Sequence, residues 1–279
     1  MLKVLKSGFF TTIQDRGRFN FRDKGVPVSG VMDSYSFHKA NKLLKNNENA
    51  AALEITMTGP TLEFEEDTYI VLGGAEMSAT LNSEPIVNCK VYKIEKGDIV
   101  SFGKLEKGFR SYLAIKGGFK VEDKLGSKSL YYPITPNAYI KKGAEIPYDA
   151  YPHFHVEHDE FPTDSFLTEV VLEVYKGPEY DLLNDKHLEA LFFREFSIAK
   201  ENNRMAYQLE DLIKGHSFSM LTSATLPGTV QLTPSGKLIV LMKDGQTTGG
   251  YPRILQLSDR AISILAQKKS GDKVSFKLK

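Results

Sequence analysis

The run Met242–Pro252 has the composition of a ligand-binding loop. It follows an apolar run, its polar side chains supply neutral hydrogen-bond donors and acceptors, and its glycines allow a ligand close to the backbone. This chemistry suits an amide, urea or lactam group better than a bare phosphate. The alternative is a hairpin loop whose turn residues bind nothing. The central residues of the run are Gln246, Thr247, Thr248, Gly249 and Gly250.

A second polar stretch, Gly8–Arg18, combines hydroxyls, an amide, a carboxylate and two arginines within a few residues. Arg16 and Arg18 could bind a carboxylate or a phosphate through their guanidinium groups. The alternative is a structural loop in which Asp15 pairs with one of these two arginines.

Two weaker signals are Gly73–Glu76 and Arg204. The first follows another apolar run, at about the position that Met242–Gln246 occupies in the second half of the chain. We therefore expect a loop there, in which Gly73 and Gly74 turn backbone N–H groups towards a shared cleft. Arg204 stands beside aromatic and apolar residues and could hold an anion, although a surface arginine is the commoner explanation.

Three histidines and three acidic residues are grouped near the middle of the chain: His153, His155, Glu157, His158, Asp159 and Glu160. On a strand the first two histidines would share a face, which makes a metal site conceivable. The segment has the composition of an interdomain linker, so we expect solvated histidines and no bound metal. The sequence also lacks a G-x-x-x-x-G-K-[ST] phosphate loop and a G-x-S-x-G nucleophile turn.

The composition argues against several classes of protein. The 279 residues include 36 Lys+Arg and 35 Asp+Glu, a formal charge of +1, whereas nucleic-acid binding usually shows as a basic surplus. The single cysteine, Cys89, cannot form an intrachain disulfide, which favours a reducing compartment. No apolar run approaches the roughly 20 residues that cross a bilayer. We therefore expect a cytoplasmic protein with neither a nucleic-acid nor a membrane partner.

Short apolar runs, rich in β-branched and aromatic residues and broken by turn formers, predict a mainly β protein built of barrels or sandwiches. The predicted strands are Tyr69–Leu72, Val91–Ile94, Ile99–Phe102, Tyr112–Ile115, Val170–Tyr175, Leu238–Leu241 and Val274–Phe276. Helical spacing predicts few helices. They are Asp33–Lys45 and Asp259–Ala266, each with its aspartate as N-cap, and Asp181–Phe193.

A weak internal repeat divides the chain. Gly97–Phe102 and Gly271–Phe276 are identical at five of six positions. Gly59 stands eleven residues before Ile70-Val71-Leu72, and Gly228 stands eleven residues before Ile239-Val240-Leu241. We interpret the match as two related β domains joined within 148–168. The alternative is that a Gly-Asp turn followed by a strand is simply common.

Six segments in order carry a family resemblance. They are Thr11–Arg18 (T-T-I-Q-D-x-G-R), Gly25–Asp33 (G-V-P-x-S-G-x-x-D), Gly73–Ala75, Leu113–Phe119 (L-A-I-x-G-G-F), Leu125–Ser129 (L-G-S-x-S) and Pro227–Pro252, which contains Q-T-T-G-G-Y-P. With these motifs the chain resembles the family of the 5-oxoprolinase C subunit, which is also described as the biotin-dependent carboxyltransferase or allophanate hydrolase subunit 2 family. The similarity runs almost end to end, and several long motifs in order are far more specific than one short pattern.

The resemblance implies two cyclophilin-like β-barrel domains with a few short helices, at residues 1–150 and 166–279. It implies one component of a hetero-oligomeric, ATP-dependent 5-oxoprolinase. This hydrolase opens the small lactam 5-oxo-L-proline to L-glutamate with the help of two partners, its A subunit and its KipI-like B subunit. Catalytic contacts are then expected from Arg204, Gln246, Thr247 and Thr248. Substrate-binding contacts are expected from Arg16, Arg18, Gly73, Gly74, Gln231, Gly249 and Gly250.

Two other functions of such a family stay open. One is a carboxyltransferase component that acts on a urea-like amide with carboxybiotin carried by another chain. Met242-Lys243 is followed by Asp244 and so forms no Met-Lys-Met acceptor, and we expect no covalently bound biotin here. The other is a KipA-like regulator that binds and antagonises a kinase inhibitor. Gln208 and Lys243 stand where the family usually has arginine and alanine, a departure that bears on substrate choice or on a regulatory role.

Overall fold

The computed structural model describes residues 1–157, 160 and 165–279. The chain divides into two compact units, of which one contains residues 1–17 and 29–167 and the other residues 18–28 and 168–279. The short segment 18–28 thus packs with a part of the chain that is distant in sequence. No local pattern in the sequence indicates this arrangement.

Eleven strands form two antiparallel sheets in the described part of the first unit. Their bounds are Leu2–Lys6 (β1), Phe10–Gln14 (β2), Ala52–Thr56 (β3), Thr61–Phe64 (β4), Thr68–Glu76 (β5), Thr80–Leu81 (β6), Glu84–Pro85 (β7), Val91–Ile94 (β8), Ile99–Ser101 (β9), Lys107–Ile115 (β10) and Glu145–Ile146 (β11). One sheet has the strand order β11-β1-β4-β9-β6-β7, and the other has β2-β3-β10-β5-β8.

The two sheets of the first unit share one apolar core. Leu53 of β3 lies in the same buried cluster as Leu2 and Phe64 of the other sheet. Because side chains alternate along a strand, the neighbouring Ala52 faces away from this cluster. It belongs to a second cluster with Phe37, on the face that helix α1 covers.

Helix α1, Ser34–Leu43, begins where the sequence predicts. Asp33 is its N-cap, and the Asp33 carboxylate accepts hydrogen bonds from the backbone N–H of Ser36 at 3.0 Å and from Ser36 Oγ at 2.6 Å. Phe37 and Ala40 are buried on one side of the helix, at the spacing of one helical turn. The cap and the apolar stripe together fix α1 against its sheet.

Nine strands lie in the described part of the second unit, and seven of them close a barrel in the order β12-β19-β16-β17-β14-β13-β20. The strands are Val171–Lys176 (β12), Phe196–Asn202 (β13), Ala206–Leu209 (β14), Ser223–Ala224 (β15), Thr229–Leu232 (β16), Leu238–Leu241 (β17), Thr248–Gly249 (β18), Arg253–Leu257 (β19) and Lys273–Leu278 (β20). The parallel pairing of β12 with β20 completes the barrel. Strands β15 and β18 form a separate two-stranded ribbon.

Two α-helices accompany the barrel, Asp185–Phe192 (α2) and Asp259–Ala266 (α3). Helix α2 begins four residues later than the sequence predicts, because Asn184 is its N-cap. Helix α3 has the predicted bounds, but Ser258 caps it, so the prediction that Asp259 is the cap is wrong. No helix in the described part of the chain combines the length and the apolar character needed to cross a membrane.

The prediction of a mainly β fold with a few short helices is confirmed, and so is each of the seven predicted strands. The prediction that Gly73–Glu76 is a loop is wrong. These residues continue β5, where Gly73 pairs with Tyr112 and Gly74 pairs with Ser111 across to β10. The two glycines are therefore held in a sheet.

The two Gly-Asp turns of the internal repeat have the same geometry. In the first, Asp98 Oδ2 accepts a hydrogen bond from the backbone N–H of Glu95 at 2.8 Å. In the second, Asp272 Oδ2 accepts one from the backbone N–H of Lys269 at 2.9 Å. The glycines of the two turns have φ values of 91° and 87°, which a side chain would disfavour.

Candidate functional site

The backbone of the polar loop after β17 is fixed by one buried threonine. Thr225, which follows β15, donates its backbone N–H to the carbonyl of Thr247 at 3.0 Å. Its Oγ1 donates to the carbonyl of Gln246 at 2.6 Å. The side chains of Gln246 and Thr248 are exposed to solvent. The loop thus exposes polar side chains to solvent, while its backbone is fixed by hydrogen bonds from Thr225.

Gln231 of β16 directs a buried amide at this loop. The residue is 1% exposed, and its Nε2 has no hydrogen-bond partner in the described part of the chain. The register of β16 against β19 shifts between Val230 and Gln231, and such bulges re-aim side chains. A Cβ on Gly249 would stand 2.4 Å from Gln231 Nε2 and 3.2 Å from Gln246 Nε2. The next residue, Gly250, has open space at the same position.

Two amide N–H groups beside Gly249 make a donor site for a ligand oxygen. The carbonyl of an amide, urea or lactam accepts such hydrogen bonds, and so does a carboxylate. A buried donor without a partner costs roughly 1–3 kcal/mol. A ligand oxygen that pairs with Gln231 therefore removes a penalty that the folded chain already carries.

Arg204 lies in the turn between β13 and β14 and is buried, so it is not the surface arginine that the sequence left as an alternative. Its Nε donates to Asp244 Oδ2 at 2.8 Å and its Nη2 donates to Asp244 Oδ1 at 3.1 Å. The backbone N–H of Asp244 donates back to the carbonyl of Arg204 at 2.8 Å. The pair ties this turn to the loop two residues before Gln246.

Three of the predicted binding residues belong to the first unit. Arg16 is near the surface, where its Nη1 donates to the carboxylate of Glu48 at 3.1 Å. A Cβ on Gly73 would stand 3.0 Å from the carbonyl of Ser36, so the missing side chain lets α1 pack closely on β5. Gly74 has a φ of 75° and lines a small cavity beside α1.

Asp15 holds a structural centre of the first unit. It is buried and accepts hydrogen bonds from Ser127 Oγ at 2.6 Å and Ser129 Oγ at 2.7 Å, and from two backbone N–H groups. The pairing of Asp15 with Arg16 or Arg18, which the sequence left open, is therefore wrong. Arg18 is fully buried in the second unit.

Sequence reasoning missed two arginines beside the loop. Arg22 Nη2 donates to the carbonyl of Thr225, and Arg253 Nη1 donates to the carbonyl of Ala224 at 2.5 Å. Arg253 also pairs with Glu179 through two side-chain hydrogen bonds of 2.9 and 2.6 Å. These bonds lower the pKa of Glu179 and raise the pKa of Arg253. Arg22 is far from the loop in sequence, so no spacing rule could have found it.

Within the residues that the structure describes, no group of three His, Cys, Asp or Glu side chains is arranged to hold a metal ion. His153 and His155 are exposed, and Glu157 forms an ion pair with Lys45 at 2.6 Å. The other histidine and the aspartate of the predicted cluster, His158 and Asp159, lie outside the described residues.

A cavity of about 690 Å³ in the first unit is lined by none of the residues expected to make catalytic or substrate-binding contacts. Apolar side chains such as Met77 and Phe102 line it together with the carboxylates of Glu76, Glu106 and Glu160. The three carboxylates give the cavity a negative lining, which disfavours anionic ligands.

Comparisons with known proteins agree with this fold. A family model described as "Carboxyltransferase domain, subdomain A and B" matches residues 24–278. The C subunit of 5-oxoprolinase from Escherichia coli (strain K12) is 32% identical over 282 residues, which cover 99% of this chain and 90% of that protein. The crystal structure of TTHA0988 matches with a TM-score of 0.90 and 27% identity, over 99% of this chain and 56% of that one. The K. lactis urea amidolyase structure matches with a TM-score of 0.87 and 28% identity, over 99% of this chain and 18% of that one.

Proposed function

The chain belongs to the carboxyltransferase domain family, subdomains A and B, and we propose that it is the C subunit of an ATP-dependent 5-oxoprolinase. In this proposal it acts together with the A and B subunits of that enzyme. The complex converts 5-oxo-L-proline and water to L-glutamate, coupled to hydrolysis of ATP to ADP and phosphate. ATP supplies the driving force for opening an unreactive lactam, and the residues of this chain hold the substrate.

The sequence identities support this choice within the family. The E. coli protein that bears the name of the 5-oxoprolinase C subunit is 32% identical over 99% of this chain. The urea amidolyase of Lachancea kluyveri is 28% identical over 98% of it.

The buried amide of Gln231 is the structural observation that carries the proposal. Opening a lactam requires a nucleophile to add to the carbonyl carbon, and negative charge then builds on the carbonyl oxygen. Donors that are already aimed at that oxygen stabilise the charge without reorganising. We assign Nε2 of Gln231 and Nε2 of Gln246, which flank Gly249, to this oxygen.

The remaining side chains of the loop complete the proposed site. The hydroxyls of Thr247 and Thr248 accept from or donate to the rest of the lactam ring, since a hydroxyl does both. Arg204 acts as a positioning residue, because its guanidinium is engaged with Asp244 and fixes the beginning of the loop. Arg16 receives no role, since it pairs with a neighbouring carboxylate near the surface.

The similarity to urea amidolyase favours one other function. In it, the chain is part of a carboxyltransferase that moves a carboxyl group from carboxybiotin on another chain to a urea-like amide. The same two amide donors would hold the urea carbonyl. The two functions differ in their substrates, so a substrate comparison separates them.

Reconstitution tests the proposal. This chain is combined with candidate A and B subunits, and glutamate release from 5-oxo-L-proline is measured with and without ATP. We expect release that requires ATP and all three chains, and none from this chain alone. Consumption of carboxybiotin with a urea-like amide, and no glutamate release, would support the carboxyltransferase function. Binding to the candidate KipI-like protein without either reaction would support a KipA-like regulator.

A further inference from the structure

Segment 18–28 brings a cation to the polar loop. Arg22 begins the one-turn 3-10 helix Arg22–Lys24, whose C-cap Gly25 has a left-handed φ of 78°. Nη2 of Arg22 donates to the carbonyl of Thr225. Thr225 in turn holds the backbone of Gln246 and Thr247 through its own N–H and hydroxyl. A single residue therefore connects Arg22 to the loop.

Arg22 and its neighbour Arg253 differ in whether a carboxylate balances their positive charge. Arg253 donates to the preceding carbonyl, but its charge is balanced by Glu179. Arg22 is half-buried and has no carboxylate partner in the parts of the chain that the structure describes. Burial alone lowers the pKa of Arg22, and a partly buried guanidinium without a counter-ion is unfavourable.

Two buried donors without a hydrogen-bond partner in the described chain lie beside the β15–β18 ribbon. Nη1 of Arg22 is buried without a hydrogen-bond partner in the described chain, and Arg22 contacts Thr225 at the end of β15. Nε2 of Gln231 is buried and unpartnered there as well, and it lies against Gly249 of β18. An oxygen acceptor would satisfy each group, and for Arg22 a negatively charged oxygen would also balance the charge.

We propose that Arg22 binds the carboxylate of the substrate, while Gln231 binds its amide or lactam oxygen. A guanidinium matches a planar carboxylate through two parallel hydrogen bonds. The substrate class is then a small carboxylic acid that also carries an amide or lactam carbonyl. This assignment rests on the proposed function and deepens it, because 5-oxo-L-proline has both groups and urea has no carboxylate.

The test compares 5-oxo-L-proline with 2-pyrrolidinone, which is the same lactam without the carboxylate. The reconstituted complex carries Arg22→Gln, Arg22→Lys or the control Lys24→Gln. The control removes a charge from an exposed side chain on the same short helix. We expect Arg22→Gln to raise the KM for 5-oxo-L-proline by about 10- to 100-fold. Arg22→Lys should give a smaller increase, and Lys24→Gln should stay within about twofold.

The competing lactam supplies the second measurement. We expect inhibition by 2-pyrrolidinone to be the same in wild type and Arg22→Gln, because the lost contact is with the carboxylate. A complex carrying Arg22→Gln that keeps the wild-type KM overturns the proposal. The proposal is also overturned if Arg22→Gln weakens the binding of 5-oxo-L-proline and the inhibition by 2-pyrrolidinone equally, because that result indicates a disturbed loop. The melting temperatures of the variants and the Arg22→Lys result separate loss of binding from loss of fold.

A binding measurement tests the role of Arg22 even if the proposed function is wrong. If the wild-type complex releases no glutamate, Arg22 is tested by thermal shift of the isolated chain with the same two compounds. Stabilisation by 5-oxo-L-proline alone, lost in Arg22→Gln and kept in Lys24→Gln, supports the carboxylate site. Equal responses of wild type and Arg22→Gln, or no response from wild type, overturn it.

Discussion

Gln231 and Gly249 are fitted to each other: Nε2 of the glutamine is 2.4 Å from the point where a Cβ on the glycine would stand. Real side chains do not approach a Cβ so closely, so the amide occupies space that only a glycine leaves open. The donor of this buried amide has no partner in the described chain. Gln231 and Gly249 therefore form a preorganised donor site for a ligand oxygen at the barrel.

Substitution of Gly249 should disable the site. In Gly249→Ala the new methyl group must displace the Gln231 amide or the loop, and a displacement of about 1 Å can cost roughly 100-fold in rate. We expect at least a tenfold loss of glutamate release by the complex with little change in melting temperature, because the atoms that must move are the ends of two glutamine side chains. Gly250→Ala, where the space is open, should change the free energy of unfolding by less than about 0.5 kcal/mol and keep the activity. Wild-type activity for Gly249→Ala would contradict the fit.

Replacement of Gln231 should separate stability from function. Gln231→Met removes a buried donor that lacks a partner, so we expect unchanged or slightly higher stability together with loss of substrate binding. Gln14→Met is the comparison. Gln14 Nε2 donates to Thr12 Oγ1 at 3.1 Å and to the carbonyl of Leu130 at 3.2 Å, so the substitution leaves two acceptors unpaired, whereas Gln14 Oε1 itself has no partner in the described chain. That variant should lose about 1–3 kcal/mol. Urea unfolding and ligand binding are measured on both, and a destabilised Gln231→Met that still binds substrate would refute the assignment.

We expect the side chains of Arg204 and Asp244 to be energetically coupled, so that their contributions to the free energy of unfolding are not additive. Arg204→Met leaves a buried carboxylate unpaired, so we expect a loss of about 3–5 kcal/mol in the free energy of unfolding. The double variant Arg204→Met with Asp244→Leu should recover part of that loss, since no buried charge then remains. A double-mutant cycle by urea unfolding measures the coupling. Additive effects would show that the two side chains do not act together.

The sequence predicted the strands well because their signal is local. Alternation and β-branched content mark Val91–Ile94 and Leu238–Leu241 whatever surrounds them. The prediction for Gly73 and Gly74 was wrong for the same reason. Two consecutive glycines are typical of a loop. Gly73 nevertheless lies in β5, and it is a glycine there because α1 packs in the space that a side chain would need. Such close packing between elements leaves no mark in a short window of sequence.

The site was predictable only in part. The loop residues Gln246–Gly250 stood out by composition, and their neighbour Arg204 was found, but its partner Asp244 was not. Arg22 reaches the ribbon, and Glu179 reaches Arg253 beside it, through chain folding over long separations, which composition cannot register. The residue types in a sequence indicate which ligands a site can bind. Which charged side chains pair with one another, and which arginine is left without a carboxylate, is seen only in the structure.

The ion pair of Glu179 with Arg253 predicts how stability depends on pH. Hydrogen bonds from Arg253 hold the pKa of Glu179 below its ordinary value of 4.5. The unfolded chain therefore binds the proton more readily, and the pair stabilises the fold above that ordinary value. This contribution is lost as the pH falls through the lower, folded-state pKa. Glu179→Gln should thus be less stable than wild type at pH 7, and the difference should shrink below about pH 4.5.

Urea unfolding at a series of pH values between about 7 and 3 measures this difference. The matched control is Glu169→Gln, which removes a more exposed carboxylate paired with Arg260. Because such surface pairs contribute about 0–1 kcal/mol, we expect this control to differ little from wild type at any pH. A difference between wild type and Glu179→Gln that is the same at pH 7 and pH 3 would show that the pair adds no pH-dependent stability. Convergence at low pH, seen for Glu179→Gln and not for Glu169→Gln, would confirm that the ion pair with Arg253 stabilises the fold in a pH-dependent way.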